Sequence, residues 1–536
     1  MEQFTGGEVA VETLLANGID TVFGIPGGHN FPVYAALARR PQVRHVLGRH
    51  EQGLGYMAEG YARASGKIAA VAITSGPAVA NVAGALGQAT TDTAPILVIA
   101  STPRAELLGK NRGGLHDLNN SLELARSVSR HVEHATTVEE ISPKLAGLIR
   151  KLREERPGGA YLQVPADVLA ARGQVQIAVN PPSKRRQPDS AGLKAAVELL
   201  ERAERPLIIA GTGAVISEAG QVICQLAERL GAVVSTTTLA RGLLSANFPW
   251  VVFPDGALAT EFNEVFDTAD VILGVGTMFK QEDCANWTIK FSGKLIHIDI
   301  DPAEFGRSHK TAVALHADAR AACEGLLTQL RRPTPAPASW RAHAAELHRM
   351  RLGQRRVRQG VDMAFAEAFR EALPADVMLF ADRCNIGYWT YRCLPFYQPR
   401  TFQFPMGYGG LGSVLPQAIG AKLACPERRM VAALGDGGIQ FVLGELAVAV
   451  QEQTPITIVV SNNQCYGAIR AGLMRNYGGM DFGTKLSGPD YSAIARAYGI
   501  AFVRATTRDE FLRILPDEIN RNRLGLIEFQ NDLGDP

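Results

Sequence analysis

Two polar side chains in the last third of the chain follow the ends of two apolar segments. Asp436 comes just after Met430–Leu434, and Asn463 comes just after Ile456–Ser461. If these segments are neighbouring parallel strands, their axes lie about 5 Å apart, and a carboxylate and an amide oxygen can converge on one point. Mg²⁺ prefers such oxygen ligands and usually takes its remaining ligands from water and phosphate. The spacing therefore predicts a magnesium–diphosphate site.

The residues around Asp436 support this interpretation. Gly435, Gly437 and Gly438 would let the backbone approach a diphosphate closely. The N-terminus of the helix that follows would favour the same anion. That helix is predicted from four apolar residues at helical spacing: Leu443, Leu446, Ala447 and Val450.

A simpler alternative is that Asp436 caps a helix beginning near Ile439. A Gly-Asp-Gly sequence alone would favour that alternative. The pair Asn462–Asn463 follows a complete strand–helix–strand unit, and this placement favours the metal site.

Strands able to position such residues recur along the whole chain. Nine short apolar segments are predicted as strands: TVFGIPGG, AAVAITSGP, APILVIAST, PLIIAGTGA, DVILGVGT, KLIHIDIDP, DVMLFAD, MVAALGDGG and ITIVVSNN. Continuous apolar strands separated by helical segments predict parallel sheets covered on both faces. The predicted fold class is α/β, with three doubly wound parallel-sheet domains.

Two proline-containing segments are predicted as linkers between these domains. They are Asn180–Ser190 and Arg331–Ser339, and the second should be extended. The predicted domains are residues 1–175, 188–332 and 345–536. Each has a normal domain size.

The outer domains show a weak internal similarity. The segment from Ala70 and the segment from Met430 both read as strand, glycine-containing turn, helix, proline and strand. Every βαβ unit has this pattern, which could by itself explain the similarity. The alternative is that the outer domains share one fold around a common ligand.

Composition excludes several classes of protein. The chain has 536 residues, a formal net charge of +2 and a sequence pI of about 8.1, so no strong field favours nucleic acid or acidic membranes. Its seven cysteines are odd in number and form no CxxC pair, which fits a reducing compartment. We find no secretory signal and no transmembrane run. The protein is predicted to be cytoplasmic.

These motifs together resemble thiamine diphosphate enzymes of the acetolactate synthase and benzoylformate decarboxylase-like branch. The matching segments occur in family order: GIPGG at Gly24, HEQGLGYMAEGYARASGK at His50, TSGPAVAN at Thr74, KLIHIDIDPAEFG at Lys294, GGLGSVLPQAIGAKLA at Gly409, and GDG with the paired asparagines. The resemblance implies that Asp436, Asn463 and the backbone carbonyl of Cys465 hold Mg²⁺ against the diphosphate of the cofactor.

The resemblance also implies roles for four further residues. Glu51 would hydrogen-bond N1′ of the cofactor's aminopyrimidine, although from the sequence alone a carboxylate at a helix N-terminus explains it equally well. Leu411 would support the bent cofactor, and Asn385 and Tyr466 would lie along the diphosphate. Because the family's site lies between two subunits, a homodimer or homotetramer is implied.

Two histidines are candidates for proton transfer to the substrate. His29 lies in GIPGGHN, and His116 occupies a place where acetolactate synthases have glutamine. Imidazoles there could relay protons near neutral pH; the alternative is that either is an ordinary loop histidine. The two segments also resemble 2-oxoarginine decarboxylases. In this chain Asp117 could meet a cationic substrate; the alternative is an ordinary solvated loop carboxylate.

Two departures weaken a biosynthetic acetolactate synthase assignment. The run Met278–Asp283 replaces an Arg-Phe-Asp-Asp-Arg-like run that touches FAD in that family, which argues against FAD. The chain also ends soon after LIEFQND, without that family's longer tail.

The predicted function is thiamine diphosphate- and Mg²⁺-dependent decarboxylation of a 2-oxo acid, with carboligation left open. The alternatives are an acetolactate synthase proper, a 2-oxoarginine or aromatic 2-oxo acid decarboxylase, and a non-catalytic relative. A nicotinamide-dependent dehydrogenase does not fit, because GTGAVISEAG lacks the required glycine spacing.

Overall fold

Three parallel sheets, one after another along the chain, form the frame of the protein. The structure is a computed structural model that describes residues 3–252, 263–331 and 335–534. Parts of several predictions lie outside the described residues. They include residues 332–334 of the second predicted linker, the first two residues of the first predicted domain and the last two residues of the third. The prediction of three α/β domains with parallel sheets is confirmed.

The first sheet has six strands in the order β3-β2-β4-β5-β7-β6, and a short antiparallel pair, β1 and β8, lies apart from it. The strands of this region are β1 Gln3–Thr5, β2 Thr21–Gly24, β3 Arg44–Leu47, β4 Ala69–Ile73, β5 Ile96–Thr102, β6 His131–His134, β7 Gly159–Pro165 and β8 Arg172–Gln174. The helices are α1 Gly6–Ala16, α2 Phe31–Leu37, α3 Glu51–Ser65, α4 Pro77–Asp92, α5 Ser121–Val128, α6 Val138–Glu154 and α7 Ala166–Ala170.

The central sheet has five strands in the order β10-β9-β11-β12-β13. Its strands are β9 Pro206–Ala210, β10 Val233–Thr236, β11 Val271–Val275, β12 Lys294–Asp299 and β13 Thr311–His316. The helices around it are α8 Ser190–Arg202, α9 Thr212–Ile216, α10 Gly220–Leu230, α11 Asn263–Thr268 and α12 Ala319–Gln329.

The third sheet has six strands in the order β15-β14-β16-β17-β19-β18. Its strands are β14 Met378–Ala381, β15 Phe402–Gln403, β16 Met430–Gly435, β17 Thr457–Asn462, β18 Ala501–Ala505 and β19 Gly525–Gln530. The helices are α13 Ala338–Ala372, α14 Asn385–Cys393, α15 Val414–Ala424, α16 Asp436–Gln440, α17 Leu446–Gln451, α18 Gly467–Asn476, α19 Tyr491–Tyr498 and α20 Arg508–Asn520.

The two outer sheets have the same topology. Each strand of the first sheet has a counterpart in the third sheet, from β2 and β14 through to β7 and β19. When these counterparts are matched, the two strand orders are identical. All neighbouring strands in these sheets are parallel, as their unbroken apolar sequences predict. The weak sequence similarity between the segments from Ala70 and Met430 is therefore accompanied by a common strand order over all six strands.

Helix α13 joins the central and third regions and packs on both. Its first part, with Trp340 and Leu347, belongs to a buried cluster of the central sheet. Its second part, with Phe365 and Phe369, belongs to a cluster of the third sheet. The backbone changes direction between them at Gly360, where φ is 47°. We therefore propose that the third domain starts near Gly360 rather than at residue 345.

Helices α3 and α15 occupy equivalent places in the outer regions and pack directly on each other. A Cβ on Gly60 would lie 1.9 Å from the carbonyl oxygen of Gln417, and one on Gly420 would lie 1.8 Å from that of Met57. Only glycine fits such a close crossing. Side chains of both helices share one buried cluster, so the first and third sheets are joined into a common core.

The structure also bears on membrane insertion and on cysteine pairing. Within the described ranges, none of the helices has the length and apolarity needed to cross a bilayer. All seven cysteines lie in these ranges, and no disulfide joins any of them.

Candidate active site

The third sheet places Asp436 beside the turn that follows β17. Strands β16 and β17 are parallel neighbours, with Gly435 opposite Ser461. Asp436 begins α16 and is 2 % exposed. Because the two strands are in register, the residues that follow them lie side by side at one edge of the sheet.

One carboxylate oxygen of Asp436 is buried without a partner. Oδ2 has no hydrogen-bond partner within the described part of the chain. Burial raises the pKa of Asp436 to about 6, although backbone amides such as that of Gly437 lower it. A buried, unpartnered carboxylate oxygen is costly unless a cation or a proton joins it. The side chain does not cap α16, so the capping alternative is not supported.

The turn after β17 is held rigidly by the first asparagine of the pair. Asn462 donates from Nδ2 to Glu528 Oε1 at 2.8 Å, and its Oδ1 accepts from the Gln464 amide at 3.2 Å. Gln464 itself is left-handed, with φ of 55°. Because the side chain of Asn462 is engaged in the turn, this geometry fits the prediction that Asn463 rather than Asn462 is the metal ligand.

Asn463 and Cys465 supply the other two predicted metal oxygens. Asn463 Oδ1 accepts from the Cys465 amide at 3.3 Å, and the Cys465 carbonyl accepts from the Gly467 amide at 2.9 Å. Each sp² oxygen keeps a second lone pair. No group of three or more His, Cys, Asp or Glu side chains suited to a metal occurs in the described residues. A set of one carboxylate, one amide and one carbonyl therefore fits the hard ion Mg²⁺ better than Zn²⁺.

The glycines around Asp436 are explained by protein neighbours rather than by a ligand. A Cβ on Gly435 would lie 2.9 Å from Cβ of Cys384, and one on Gly437 would lie 2.5 Å from the ring of Tyr466. The sequence argument attributed these glycines to the approach of a diphosphate. In the structure, packing alone excludes a side chain at both positions.

The helix predicted to follow Asp436 also differs from its predicted form. The segment is broken into α16, a 3-10 turn at Leu443–Glu445 and α17. Val450 is 40 % exposed, whereas Val448 and Ala449 are fully buried. Leu446 is fully buried as predicted, but the prediction is wrong for Val450, because the break shifts which residues point to the sheet.

Asp382 is a site residue that sequence reasoning missed. It follows β14 directly, its side chain is fully buried, and Oδ2 accepts from the Gly412 amide at 2.9 Å. A Cβ on Gly438 would lie 2.4 Å from the same oxygen. Asp382 thus sits between the loop that carries Leu411 and the start of α16. The available signal was its position, a polar residue directly after an apolar strand.

Leu411, Asn385 and Tyr466 all lie at this edge. A Cβ on Gly438 would lie 3.6 Å from Leu411 Cδ1, and Leu411 is only half-buried. Asn385 begins α14 and donates to the Leu533 carbonyl at 2.5 Å. The structure thus places all three predicted cofactor contacts around Asp436.

Glu51 lies in the first sheet's half of the molecule, at the first residue of α3. His50 caps this helix, with Nδ1 accepting from the Gln52 amide at 3.2 Å. The Glu51 carboxylate accepts from Asn81 Nδ2 at 2.9 Å. The Glu51 side chain therefore lies at a helix N-terminus with its carboxylate oriented by the Asn81 amide.

Glu445 is a second residue that the sequence argument missed. It comes from the third region, but its Oε1 accepts from the His50 amide at 3.1 Å. Burial raises the pKa of Glu445 to about 7, and its Oε2 lacks a hydrogen-bond partner among the described residues. A charged residue inside an apolar helical segment was the only sequence signal.

His29 and His116 meet around a third residue, Ser75. His29 Nδ1 lies 2.5 Å from Ser75 Oγ, and His116 Nδ1 lies 3.4 Å from the same oxygen. The two imidazoles are edge to face, with centroids 5.5 Å apart. Burial, and the nearby His116, lower the pKa of His29. Ser75 was not singled out in the sequence, although it lies two residues after the end of β4.

Within one chain, the histidine cluster and the metal edge are separate. Among the described residues, no hydrogen bond or ion pair joins His29, Ser75 or His116 to Asp436 or Asn463. Each half of the candidate site is built on the carboxyl edge of its own parallel sheet, where such sheets bind ligands.

The comparisons with known proteins agree with this arrangement. Residues 4–124 match the family model for the thiamine pyrophosphate enzyme N-terminal TPP binding domain. Residues 193–326 match the central domain of the same enzymes, and residues 382–529 match their C-terminal TPP binding domain.

Curated relatives cover nearly the whole chain. A probable 2-ketoarginine decarboxylase of Pseudomonas aeruginosa is 36% identical over 533 residues, which is 98% of this chain and 94% of that protein. The acetolactate synthase isozyme 1 large subunit of Escherichia coli is 28% identical over 545 residues, 99% of this chain and 94% of that protein. An acetolactate synthase of Mycobacterium bovis is 27% identical over 535 residues, 96% and 86% respectively.

Proposed function

Because this chain belongs to the thiamine pyrophosphate enzyme family, we propose that it decarboxylates a 2-oxo acid with thiamine diphosphate held through Mg²⁺. One observation carries the metal part of this proposal. The unpartnered, buried oxygen of Asp436 lies beside the turn that presents Asn463 and the Cys465 carbonyl. Those three oxygens would bind Mg²⁺, with Asn385, Tyr466 and Leu411 along the cofactor.

When bound, thiamine diphosphate supplies a nucleophilic carbon that adds to the 2-oxo group and accepts the electrons released with CO₂. The residues of this chain orient the cofactor, exclude water and move protons. Glu51, held by Asn81 at the start of α3, would fix the protonation of the aminopyrimidine. The His29–Ser75–His116 cluster would deliver the proton that completes an aldehyde product. Carboligation, the alternative outcome, needs a second carbonyl compound in place of that proton.

A guanidino 2-oxo acid is the substrate that we propose first. The relative of greatest identity reported above is a probable 2-ketoarginine decarboxylase. Asp117 is half-buried next to His116, and no ion pair engages it in the described part of the chain. A partly desolvated, unpaired carboxylate suits a cationic side chain.

A panel of 2-oxo acids tests the function directly. We expect CO₂ release and an aldehyde from the guanidino acid, with lower kcat/KM for pyruvate, benzoylformate and branched acids. The alternative, an acetolactate synthase proper, predicts that pyruvate alone gives acetolactate. A non-catalytic relative would release no CO₂ from any of them, and that result would overturn the proposal.

We propose that the enzyme carries no flavin. The run Met278–Asp283 lies along a cavity of about 630 Å³ at the carboxyl ends of β9 and β11. Lys280 is bonded to Asp92 at 2.8 Å, and Glu282 to Arg383 at 2.7 Å, so both are engaged by protein. A purified protein with the visible absorption of bound flavin would contradict this.

We further propose a homodimer or homotetramer in which a second copy completes the site. Helix α18 has no buried residue, and an exposed apolar surface follows the metal turn. Its members are Ile469, Met474, Tyr477, Met480 and Phe482, and Phe482 is 83 % exposed. Contiguous apolar surface of this kind marks an interface. A partner would bring its own histidine cluster to this edge.

Replacing Phe482 with aspartate is expected to weaken assembly by about 100-fold or more, because a charge at an apolar interface centre is costly. Light scattering over a concentration series measures the effect, and activity should fall in parallel with dissociation. Val357, 88 % exposed on α13, gives the control Val357→Asp, which should leave assembly unchanged. A wild-type chain that is monomeric and active would contradict the interface proposal.

Replacing His29 with glutamine is expected to lower kcat by about 10²–10⁴-fold, the usual contribution of a positioned proton donor. Because burial and His116 lower the pKa of His29, and a donor must be protonated to act, the wild-type rate should fall as the pH rises through a value below the ordinary histidine pKa. That limb of the pH profile should disappear in His29→Gln. His45, hydrogen-bonded to Tyr34 at 3.1 Å, provides the control His45→Gln. An unchanged pH profile in His29→Gln would rule out the relay.

A further inference from the structure

The loop that carries Leu411 is held by an unusual set of buried side chains. We call Met406–Gly412 the Leu411 loop. The amides of Met406 and Gly407 donate to the two oxygens of Asp92 at 3.0 and 2.9 Å. The Gly410 amide donates to Gln88 at 3.0 Å. Asp92 and Gln88 both belong to α4 in the first region and are fully buried.

We infer that Lys280 of the central region is a positioning residue for the Leu411 loop, acting through Asp92. Its Nζ lies 2.8 Å from Asp92 Oδ1, the same oxygen that accepts from Gly407. Burying a carboxylate is costly, and a cation bonded to it offsets that cost. The inference rests on the proposed function, in which Leu411 supports the cofactor.

Lys280 is the principal counter-charge of Asp92. Arg63 also approaches, but its Nη2 is 3.9 Å from Oδ2, and its Nε is bonded to Glu59 at 2.9 Å. Burial by itself would raise the pKa of Asp92, but Lys280 and then Arg63 outweigh it and lower that pKa. Lys280 is thus the cation that makes a direct hydrogen bond to the side chain holding the loop.

A second contact runs from the same central segment to the same loop. Arg383 Nη2 donates to Glu282 Oε1 at 2.7 Å, and Arg383 Nε donates to the Pro405 carbonyl at 2.8 Å. Arg383 also donates to the Met406 carbonyl. Lys280 therefore contacts the Met406 amide indirectly, through Asp92, and Glu282 contacts the Met406 carbonyl indirectly, through Arg383.

The segment that carries Lys280 is itself fixed. It follows β11, and the Phe279 carbonyl accepts from Trp287 Nε1 at 3.0 Å. There is little room for the loop to move if its anchors stay, since a Cβ on Gly407 would lie 2.9 Å from Thr91. The central region thereby takes part in cofactor binding without touching the cofactor.

The test is amide hydrogen exchange in the full-length protein without cofactor. In Lys280→Met we expect amides of the Leu411 loop to exchange at least about 10-fold faster, with β16 and β17 unchanged. Thiamine diphosphate affinity by calorimetry should fall by a similar factor, while KM for the 2-oxo acid stays within about 2-fold of wild type.

Two further variants separate positioning from charge alone. Lys280→Arg keeps the cation and should restore slow exchange, whereas Lys290→Met, at an exposed lysine of the same region, should behave as wild type. Lys280→Met could fold poorly because it leaves Asp92 without its counter-charge. The double variant Asp92→Asn with Lys280→Met removes both charges and should fold. Amides of the Leu411 loop should still exchange fast in this double variant.

Unchanged exchange of the Leu411 loop in Lys280→Met, or in the double variant, would overturn the inference. This readout needs no cofactor. A failure of the proposed function would instead show as absent cofactor binding in the wild type, so the two failures can be told apart.

Discussion

Replacing Glu51 with glutamine is expected to lower kcat by about 10²–10⁴-fold and to leave the melting temperature within about 2 °C of wild type. The loss has the size usual for a group that positions a proton in a reaction. Glutamine fills the same space and can still accept from Asn81, but it carries no charge. The fold should therefore persist while the chemistry fails.

The structure explains why Glu51 is available for this role. It lies in the first turn of α3, at the helix N-terminus. Asn81 orients it from α4, and His50, not Glu51, caps the helix. Glu51 is therefore not needed as the cap, which separates its catalytic effect from a structural one.

A matched control uses Glu123, which also lies in the first turn of a helix. Glu123→Gln should lose at most a few tenths of a kcal/mol of stability and no activity. Exchange of the cofactor's C2 proton with deuterium should slow in Glu51→Gln and stay normal in Glu123→Gln. Full activity of Glu51→Gln would refute the assigned role.

Replacing Asp436 with asparagine is expected to weaken Mg²⁺-dependent binding of thiamine diphosphate by at least about 100-fold. Loss of an outer-shell partner of a metal already costs 10–100-fold, so loss of a charged ligand should cost more. Calorimetry with and without Mg²⁺ measures the effect. Asp509→Asn, at an exposed position of α20, is the control.

The same substitution should stabilise the protein that lacks metal. The folded state raises the pKa of Asp436 to about 6, above the ordinary aspartate value. Ionising this carboxyl therefore disfavours the folded state as the pH rises from about 4 through 6, and the effect is complete above 6. Asparagine avoids it, which gives at most about 3 kcal/mol at pH 7–8 and almost nothing at pH 4.

Thermal unfolding in the presence of a chelator tests this stability effect. Asp436→Asn should melt above wild type at pH 8, and the two should converge toward pH 4. Adding Mg²⁺ and cofactor should reverse the order, since only wild type binds them tightly. An asparagine variant that binds the cofactor as well as wild type would remove the metal site from the proposal.

Several features of the candidate site could be predicted from the sequence because they are local. Asp436 and Asn463 lie at the ends of one βαβ unit, and such a unit makes its two strands parallel. Glu51 could be placed at a helix start because the helical segment that follows it is also a local feature of the sequence. Their functional roles came from the family resemblance, and they stay predictions until the substitutions are made.

Other features depended on contacts between distant segments. Nothing local indicates that Ser75 would lie between His29 and His116, since the three come from separate loops. Asp382 and Glu445 were missed for the same reason. Their importance comes from the loop amide of Gly412 and the helix amide of His50, which belong to other parts of the chain.

Local sequence patterns are enough to place the strands, to pair them in parallel in each βαβ unit and to bring Asp436 to the Asn463 turn. Hydrophobic periodicity and the geometry of crossovers set these features within a few tens of residues. The crossing of α3 and α15 at Gly60 and Gly420, and the contact of Lys280 with Asp92, become visible only in the folded chain. Those contacts depend on the shape and charge of surfaces formed by remote segments, and no periodic pattern records which surfaces meet.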